Sequence, residues 1–248
     1  MYLGNLGKMG KSSCEASVPV RILDLFYSPL DWRCAGERER RGSRVTMRRD
    51  KADAPFSLAS LVRAAEARDP STVGHSRRVR GYALHLASAL GLERRQCKQL
   101  SLAAMLHDIG KVGIPAHILH KPGRLTPEEE RVVRSHPEVG ERILAPVVRS
   151  REVLAAIRGH HERLDGSGYP DGLAGGQIPL LARLLALTDC FDALTSSRSY
   201  RPALSVCEAL DILEAGAGSH FDPVFVHIFL RIAPDLPSET SRPIMGVR

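Results

Sequence analysis

The sequence is poor in aromatic residues, and its cysteines follow no recognisable pattern. Phe, Trp and Tyr make up 5% of the 248 residues. The core must therefore be built mainly from Leu, Ala, Val and Ile, a composition that suits packed helices. The five cysteines are odd in number, widely spaced and without a CxxC pair, so neither a zinc knuckle nor a disulfide framework is indicated. We therefore expect reduced thiols in a cytosolic protein.

Long apolar runs are also missing. Residues 1–30 contain no continuous apolar segment of the kind that a secretory signal requires. The most apolar stretch, residues 178–187, is interrupted by Arg183 and is shorter than the ~20 residues of a membrane-spanning helix. The sequence thus predicts a cytoplasmic protein that does not insert into a membrane.

A basic net charge of +7 raises the question of a nucleic-acid partner. Residues 1–55 hold 11 of the Lys and Arg residues against 7 acidic ones, whereas the remaining chain holds 24 against 21. No basic stripe alternates with aromatic residues that could stack on bases. A polymeric nucleic acid is therefore not the expected partner.

Composition divides the chain into three parts. Residues 1–55 lack hydrophobic periodicity and are strongly charged near their end, so we expect a disordered extension, with Met47 as an alternative start. Residues 56–234 are predicted to form one folded domain, and residues 235–248 a loose tail.

Helical signals recur throughout residues 56–234, and no segment has the alternating pattern of a strand. Thr126 with Glu129, and Ser205 with Glu208, each form a capping-box pattern that predicts a helix start. Apolar residues recur at spacings of three and four. The fold class is therefore all-α.

Several predicted helices carry histidine or aspartate on their apolar faces or at their ends. The helix predicted over residues 93–108, for example, places His107 and Asp108 on the same stripe as its apolar residues. A buried carboxylate is costly unless it is paired or binds a metal. The full set comprises His75, His107, Asp108, His136, His160, His161 and Asp189.

Seven such groups facing one interior exceed what packing requires, and several would lack a hydrogen-bond partner without a cation. The absence of a thiolate argues against a structural zinc site. A mixed imidazole and carboxylate set suits Fe, Mn, Co, Ni or Zn, and seven ligands exceed the need of one ion.

The order of these residues matches a family pattern. The matching motifs are GHS at 74–76, HDIGK at 107–111, KPGRLT at 121–126, HPEVG at 136–140, HHERLDGSGYPDGL at 160–173, DCFDALTS at 189–196 and RSYR at 198–201. This sequence resembles the HD-GYP domain, a subgroup of the HD metal-dependent phosphohydrolases that cleaves cyclic di-GMP. The resemblance implies a helical bundle of HD-domain type with a long GYP loop between helices.

The resemblance also implies a binuclear metal centre. One ion would be held by His75, His107, Asp108 and Asp189, and the other by Asp108, His136, His160 and His161, with Asp108 bridging. Fe or Mn are the first choices, with Zn, Ni or Co as alternatives. Some members bind a third ion through a glutamate at the place of Ser71, and serine cannot supply that carboxylate.

Further residues match catalytic and substrate positions of the family. Lys111 is implied to approach the phosphate, where it would stabilise charge on the non-bridging oxygens. Tyr169, Arg198 and Arg201 match positions that hold the nucleotide, and the planar fork of arginine suits phosphate oxygens. Two cations would lower the pKa of a water between them and neutralise the phosphodiester.

The implied reaction is hydrolysis of cyclic di-GMP to linear pGpG, followed by cleavage to GMP, in bacterial second-messenger signalling. The resemblance also suggests that a protein such as a diguanylate cyclase docks on the GYP loop. Two alternatives remain open: an HD phosphohydrolase acting on another nucleotide, and a sensing or protein-binding module without turnover. Of the nearby acids, Glu162 is expected to orient a metal-bound histidine, and Asp192 to be structural.

Overall fold

The computed structural model describes residues 58–69, 74–197 and 202–236, and these residues are mainly helical. Within those ranges the α-helices are α1 (Leu58–Arg68), α2 (His75–Ala89), α3 (Arg94–Leu106), α4 (Ala116–Leu119), α5 (Pro127–Arg134), α6 (His136–Leu144), α7 (Arg151–Gly159), α8 (Leu180–Thr195), α9 (Val206–Ala215) and α10 (Pro223–Ile232). Isolated bridges join Asp165 to Ala174 and Ala217 to Phe221, but no strand forms in the described part. The all-α prediction is confirmed.

Both predicted capping boxes form. The backbone nitrogen of Glu129 donates to the Thr126 hydroxyl over 3.3 Å, and the backbone nitrogen of Thr126 donates to the Glu129 carboxylate over 2.7 Å. Ser205 and Glu208 make the same reciprocal pair. These bonds satisfy amide groups that a helix N-terminus otherwise leaves without partners.

The core lies where α2, α3, α7 and α8 pack against one another. Leucine and alanine fill most of it, as the scarcity of aromatic residues predicts. Tyr82 of α2 meets Phe191 of α8 with ring centroids 5.1 Å apart, and Phe191 meets Phe229 of α10 at 5.0 Å. This packing fixes the position of α8 relative to α2.

Three helices end next to a histidine of the predicted set. α3 ends at Leu106 rather than at the predicted residue 108, so His107 caps it and Asp108 opens a 3-10 helix, Ile109–Gly113. His160 caps α7. His136 begins α6 directly after the cap residue of α5. Each of these histidines therefore lies at a boundary between two elements.

Gly110 allows the turn after Asp108 to lie against α6. A side-chain carbon at position 110 would overlap the carbonyl oxygen of His136 and lie 2.6 Å from the backbone nitrogen of Gly140. Only a residue without a side chain fits this contact. Gly110 thus determines how closely the segment that carries Asp108 approaches the segment that carries His136.

Among the residues that the structure describes, no helix combines the length and the apolar character that a membrane span needs. The predicted extension of residues 1–55 and the end of the predicted tail, from residue 237, lie outside the described residues. The domain boundaries at 55 and 234 stay predictions.

We expect Gly110→Ala to lower the free energy of unfolding by about 2 kcal/mol or more, because the added methyl group meets backbone atoms that cannot rotate away. Urea denaturation followed by circular dichroism measures the effect. Gly81→Ala is the matched control, since Gly81 lies inside α2 with no atom within 4 Å of an added methyl. The control should be neutral or stabilising by up to ~1 kcal/mol; equal stability of both variants would contradict this account.

Candidate metal centre

The structure brings all seven predicted ligands together at one end of the core. The five imidazoles form a continuous series, with neighbouring ring centroids between 4.1 and 5.3 Å apart. His75 comes from the start of α2, and Asp189 from the middle of α8. The others follow helix ends, as described above. Residues far apart in the sequence therefore meet in one small volume.

Three residues form a first group at one side of this volume. The Nε2 atom of His75 lies 3.1 Å from Oδ1 of Asp189 and 3.3 Å from Nε2 of His107. The Nε2 atom of His107 lies 3.7 Å from the same Asp189 oxygen. These ligand atoms all lie within 4.8 Å of one another, a spacing that permits binding of one metal ion.

A second group lies at the other side and consists of His136, His160 and His161. The Nε2 atoms of His136 and His160 are 3.3 Å apart. The rings of His160 and His161 have centroids 4.1 Å apart. The ligand atoms of this group also lie within 4.8 Å of one another.

Asp108 lies between the two groups and turns one oxygen toward each. Its Oδ1 atom is 3.6 Å from Nε2 of His136, whereas Oδ2 is 3.6 Å from Nε2 of His107 and 3.7 Å from that of His75. Lys111 also reaches Oδ2, at 2.7 Å from its Nζ atom. This carboxylate is therefore placed to contact ions in both groups.

Backbone carbonyl groups orient three of the imidazoles. Each of these rings donates a hydrogen bond from its Nδ1 atom to the backbone carbonyl oxygen three residues earlier. The distances are 2.9 Å from His107 to Ala104, 2.8 Å from His136 to Val133, and 2.6 Å from His160 to Ile157. A carbonyl oxygen can only accept, so each Nδ1 carries a proton. In the neutral ring, Nε2 is then the unprotonated ligand atom.

With the proton on Nδ1, the position of the Nε2 atoms indicates whether the site can bind a cation. The Nε2 atoms of His136 and His160 face each other at 3.3 Å, and in the neutral rings neither has a proton to share. Two nitrogen ligands at ~2.1 Å from one ion lie about 3.0–3.4 Å apart. The observed spacing and donor set therefore fit a divalent cation.

Burial keeps the second group neutral. It lowers the pKa of His136 to about 4 and the pKa of His161 to about 3. The pKa of His160 also lies well below its usual value, because burial and the neighbouring His161 both disfavour the charged ring. Three imidazoles that are neutral at pH 7 can each offer a lone pair to a metal.

In the first group, unlike the second, nearby carboxylates raise the pKa of a histidine. Burial alone would lower the pKa of His75, but hydrogen bonds to Asp189 and Asp192 raise it to about 9. Burial likewise would raise the pKa of Asp108, but the positive charge of Lys111 and the adjacent histidines hold it well below its usual range. Burial would also raise the pKa of Asp189, but hydrogen bonds with His107 and His75 hold it well below its usual range. Both carboxylates of the centre thus stay ionised.

His75 is oriented by a side chain rather than by the backbone. Its Nδ1 atom donates to Oδ2 of Asp192 over 2.7 Å, and Arg78 donates to both oxygens of that carboxylate, over 2.7 and 3.1 Å. The expectation that Asp192 is only structural missed this contact. Its place three residues after Asp189, on one face of a helix, was the signal available in the sequence.

Tyr169 of the GYP loop lies against the second group. Its ring stacks on the ring of His161 with centroids 4.8 Å apart and planes inclined by 27°. The guanidinium of Arg134 lies 5.1 Å from the centre of the tyrosine ring. The predicted substrate residue is therefore next to the predicted metal ligands.

The prediction that Glu162 orients a histidine is wrong. One oxygen of this buried carboxylate accepts from the backbone nitrogen of Asp171 over 2.7 Å, and the other from that of Leu173 over 3.0 Å. Arg158 of α7 adds two contacts of 2.7 Å to the Asp171 carboxylate. These residues hold the GYP loop against the helix that supplies His160.

Three sequence predictions cannot be located. Arg198 and Arg201, predicted to hold the nucleotide, lie outside the described residues, and so does Ser71. Lys111 is described, and about a quarter of its side chain is exposed (26%). It borders an open cleft that is also lined by Asp108 and Met105.

The sequence and the fold are similar to those of several known proteins. A family model described as HD domain matches residues 60–225. The cyclic di-GMP phosphodiesterase response regulator RpfG of Xanthomonas campestris pv. campestris is 44% identical over 179 residues, which cover 71% of this chain and 47% of that protein. The 3′3′-cGAMP-specific phosphodiesterase 2 of Vibrio cholerae is 38% identical over 191 residues, covering 75% and 35%. The chain thus spans less than half the length of either relative.

A crystal structure of a cyclic GMP-AMP-specific phosphodiesterase from V. cholerae matches with a TM-score of 0.56 at 20% identity, over 71% of this chain and 47% of that chain. This likeness concerns the fold alone. Because the family model covers more than half of the sequence, the chain belongs to the HD domain family, in agreement with its HD-GYP motifs.

Proposed function

We propose that this chain is a metal-dependent phosphodiesterase that hydrolyses cyclic di-GMP to pGpG, with GMP as the product of a second cleavage. The observation that carries the proposal is the position of Asp108. Its two oxygens face two groups of ligand atoms, each compact enough for one ion, and Asp108 forms a third compact group with one histidine of each, His107 and His160. Such an arrangement suits a binuclear centre that acts on a phosphodiester.

In this proposal the first ion is held by His75, His107 and Asp189, and the second by His136, His160 and His161. Asp108 bridges both ions. The donors are nitrogen and oxygen atoms without a thiolate, so Fe or Mn are the preferred metals and Zn, Ni or Co the alternatives. A pair of such ions supplies positive charge that activates a water molecule and neutralises the phosphodiester.

Lys111 contributes a positive charge beside that centre. Burial alone would lower its pKa, but the adjacent Asp108 raises it, so the ammonium group stays charged. About a quarter of the side chain is exposed, and Lys111 lines the open cleft together with Asp108. Lys111 can therefore stabilise negative charge that grows on the non-bridging phosphate oxygens.

Tyr169, Arg198 and Arg201 are proposed to hold the nucleotide. The loop that carries Tyr169 is also our candidate docking surface for a protein such as a diguanylate cyclase. We place the reaction in the cytoplasm, because the substrate is a second messenger. A polymeric nucleic acid and a membrane are not part of this proposal.

The relatives support cyclic di-GMP as the substrate and supply one alternative. The protein from X. campestris is named for cyclic di-GMP, whereas three V. cholerae relatives that are 38–40% identical to this chain are named for 3′3′-cGAMP. Cyclic GMP-AMP is therefore the second candidate substrate. Both are cyclic dinucleotides, so the chemistry at the phosphodiester is the same.

We expect His107→Ala to reduce hydrolysis of cyclic di-GMP by more than about 100-fold, because loss of groups that merely orient a metal ligand already costs 10- to 100-fold. Product formation by Mn²⁺-loaded protein is measured by chromatography. His85→Ala serves as the matched control, since His85 bonds only to the carbonyl of Gly81 on an exposed face. Retention of full activity in the His107 variant would refute the proposed centre.

Lys111→Met should lower kcat by about 100- to 1,000-fold, the usual cost of removing a group that stabilises the developing charge. KM should change little. Steady-state kinetics on metal-loaded protein separates the two constants, and metal content is measured in parallel. Lys98→Met is the control, because Lys98 is exposed on α3. A large change in KM with constant kcat would assign Lys111 to substrate binding instead.

Cyclic di-GMP should have a kcat/KM at least about tenfold above that of 3′3′-cGAMP, since a site arranged to bond a guanine oxygen rejects the amino group that adenine has there. Competition between the two substrates in one reaction measures the ratio directly. A ratio below one would favour the second candidate. Absence of turnover of either would favour a non-catalytic sensing module.

A further inference from the structure

We infer that Asp192, fixed by Arg78, is a positioning residue that holds His75 for the first of the two proposed ions and does not act on the second. The inference rests on the proposed function, since it assumes that both groups bind metal. It concerns how one ligand is oriented, not which residues are ligands.

His75 differs from three of the other imidazoles in the group that orients its ring. His107, His136 and His160 each donate to a backbone carbonyl. No substitution at another position removes such an acceptor. His75 instead donates to a carboxylate that is 117 residues away in the sequence. Its orientation alone, among these four, depends on a side chain that can be replaced.

The Asp192 carboxylate is itself held in place by Arg78. Asp192 has an exposed side-chain fraction of only 1%, so its charge needs a partner. Arg78 supplies one through its Nε atom and a second contact through Nη2, which also donates to the Ser196 hydroxyl over 3.1 Å. Arg78 thus holds both oxygens of the carboxylate, independently of the contact with the His75 imidazole.

The hydrogen bond to Asp192 determines where the Nε2 atom of His75, the proposed ligand atom, points. With Nδ1 bound to Asp192, the Nε2 atom of His75 points to Asp189, at 3.1 Å. A carboxylate on the far nitrogen of a metal-bound histidine fixes its ring and makes it a stronger ligand. Asp192 and Asp189 lie on the same helix, so α8 supplies one ligand of the first group and orients another.

The contacts of Asp192 are confined to the side of the first group. Its carboxylate is hydrogen-bonded to His75, Arg78 and Ser196 and, in the described part of the chain, to no histidine of the second group. His136 and His160 of that group are oriented by backbone carbonyl groups. If His75 binds metal less well, the affinity for one ion only should therefore fall. Loss of a general structural support would instead weaken both ions.

The test is titration of metal-free protein with Mn²⁺, followed by calorimetry and by the electron paramagnetic resonance of free Mn²⁺, without nucleotide. We expect the wild type to bind two ions. Asp192→Asn keeps the size of the side chain and removes its charge, and it should weaken one ion by about 10- to 100-fold while the other keeps its affinity.

The identity of the weakened ion is found in a His136→Gln background. Only the ion held by His75, His107 and Asp189 should bind well there, and adding Asp192→Asn must weaken that remaining step. Asp222→Asn is the matched control. Asp222 pairs with Arg183 over 2.6 Å and caps α10, and it contacts no proposed ligand, so both affinities should stay at the wild-type values.

Arg78→Met provides a second variant in case Asp192→Asn does not fold. It should weaken the same ion, because it frees the Asp192 carboxylate. Two wild-type affinities in a folded Asp192 or Arg78 variant, or equal weakening of both ions, would overturn the inference and leave the proposed function intact. A wild-type protein that binds no ion would overturn both.

Discussion

The lone pairs of His136 and His160 face each other across 3.3 Å in the interior of the protein, because each ring has its proton on the opposite nitrogen. Neither atom can donate to the other while the rings are neutral, and burial keeps the rings neutral. A cation bound between the two nitrogens would accept both lone pairs while each ring keeps its hydrogen bond to a backbone carbonyl. The architecture around them serves to assemble unshared lone pairs and carboxylates that a metal can use, and a bound metal would stabilise the folded chain by mass action.

Asp108 links the two halves of this arrangement, and its position depends on the backbone rather than on packing of its own side chain. Helix α3 ends one residue before His107, so the carboxylate projects from the start of a tighter helical turn. Gly110 lets that turn approach the segment that begins with His136. Lys111 follows within the same turn and compensates the charge of the acid. A stretch of four residues therefore supplies a proposed ligand, a close contact and a positive charge.

Much of this organisation could be predicted from the sequence. Helical periodicity gave the elements, and a histidine or aspartate on an apolar face is costly enough to indicate a shared ion. The same reasoning did not predict the contacts of Glu162 and Asp192. Glu162 binds loop amides a few residues ahead, whereas Asp192 orients His75 across 117 residues of sequence. Spacing along a helix predicts which face a residue occupies, but not which distant helix meets that face.

The histidines that cap helix ends have a consequence for mutational tolerance. His107, His136 and His160 each bind a carbonyl oxygen in the last turn of the helix that precedes them. Since every amino acid carries that oxygen, a substitution at Ala104, Val133 or Ile157 does not remove the acceptor of these rings. A substitution at Asp192 does remove the acceptor of His75, so the contact between α2 and α8 is a place where one replaced side chain can change the orientation of a proposed ligand.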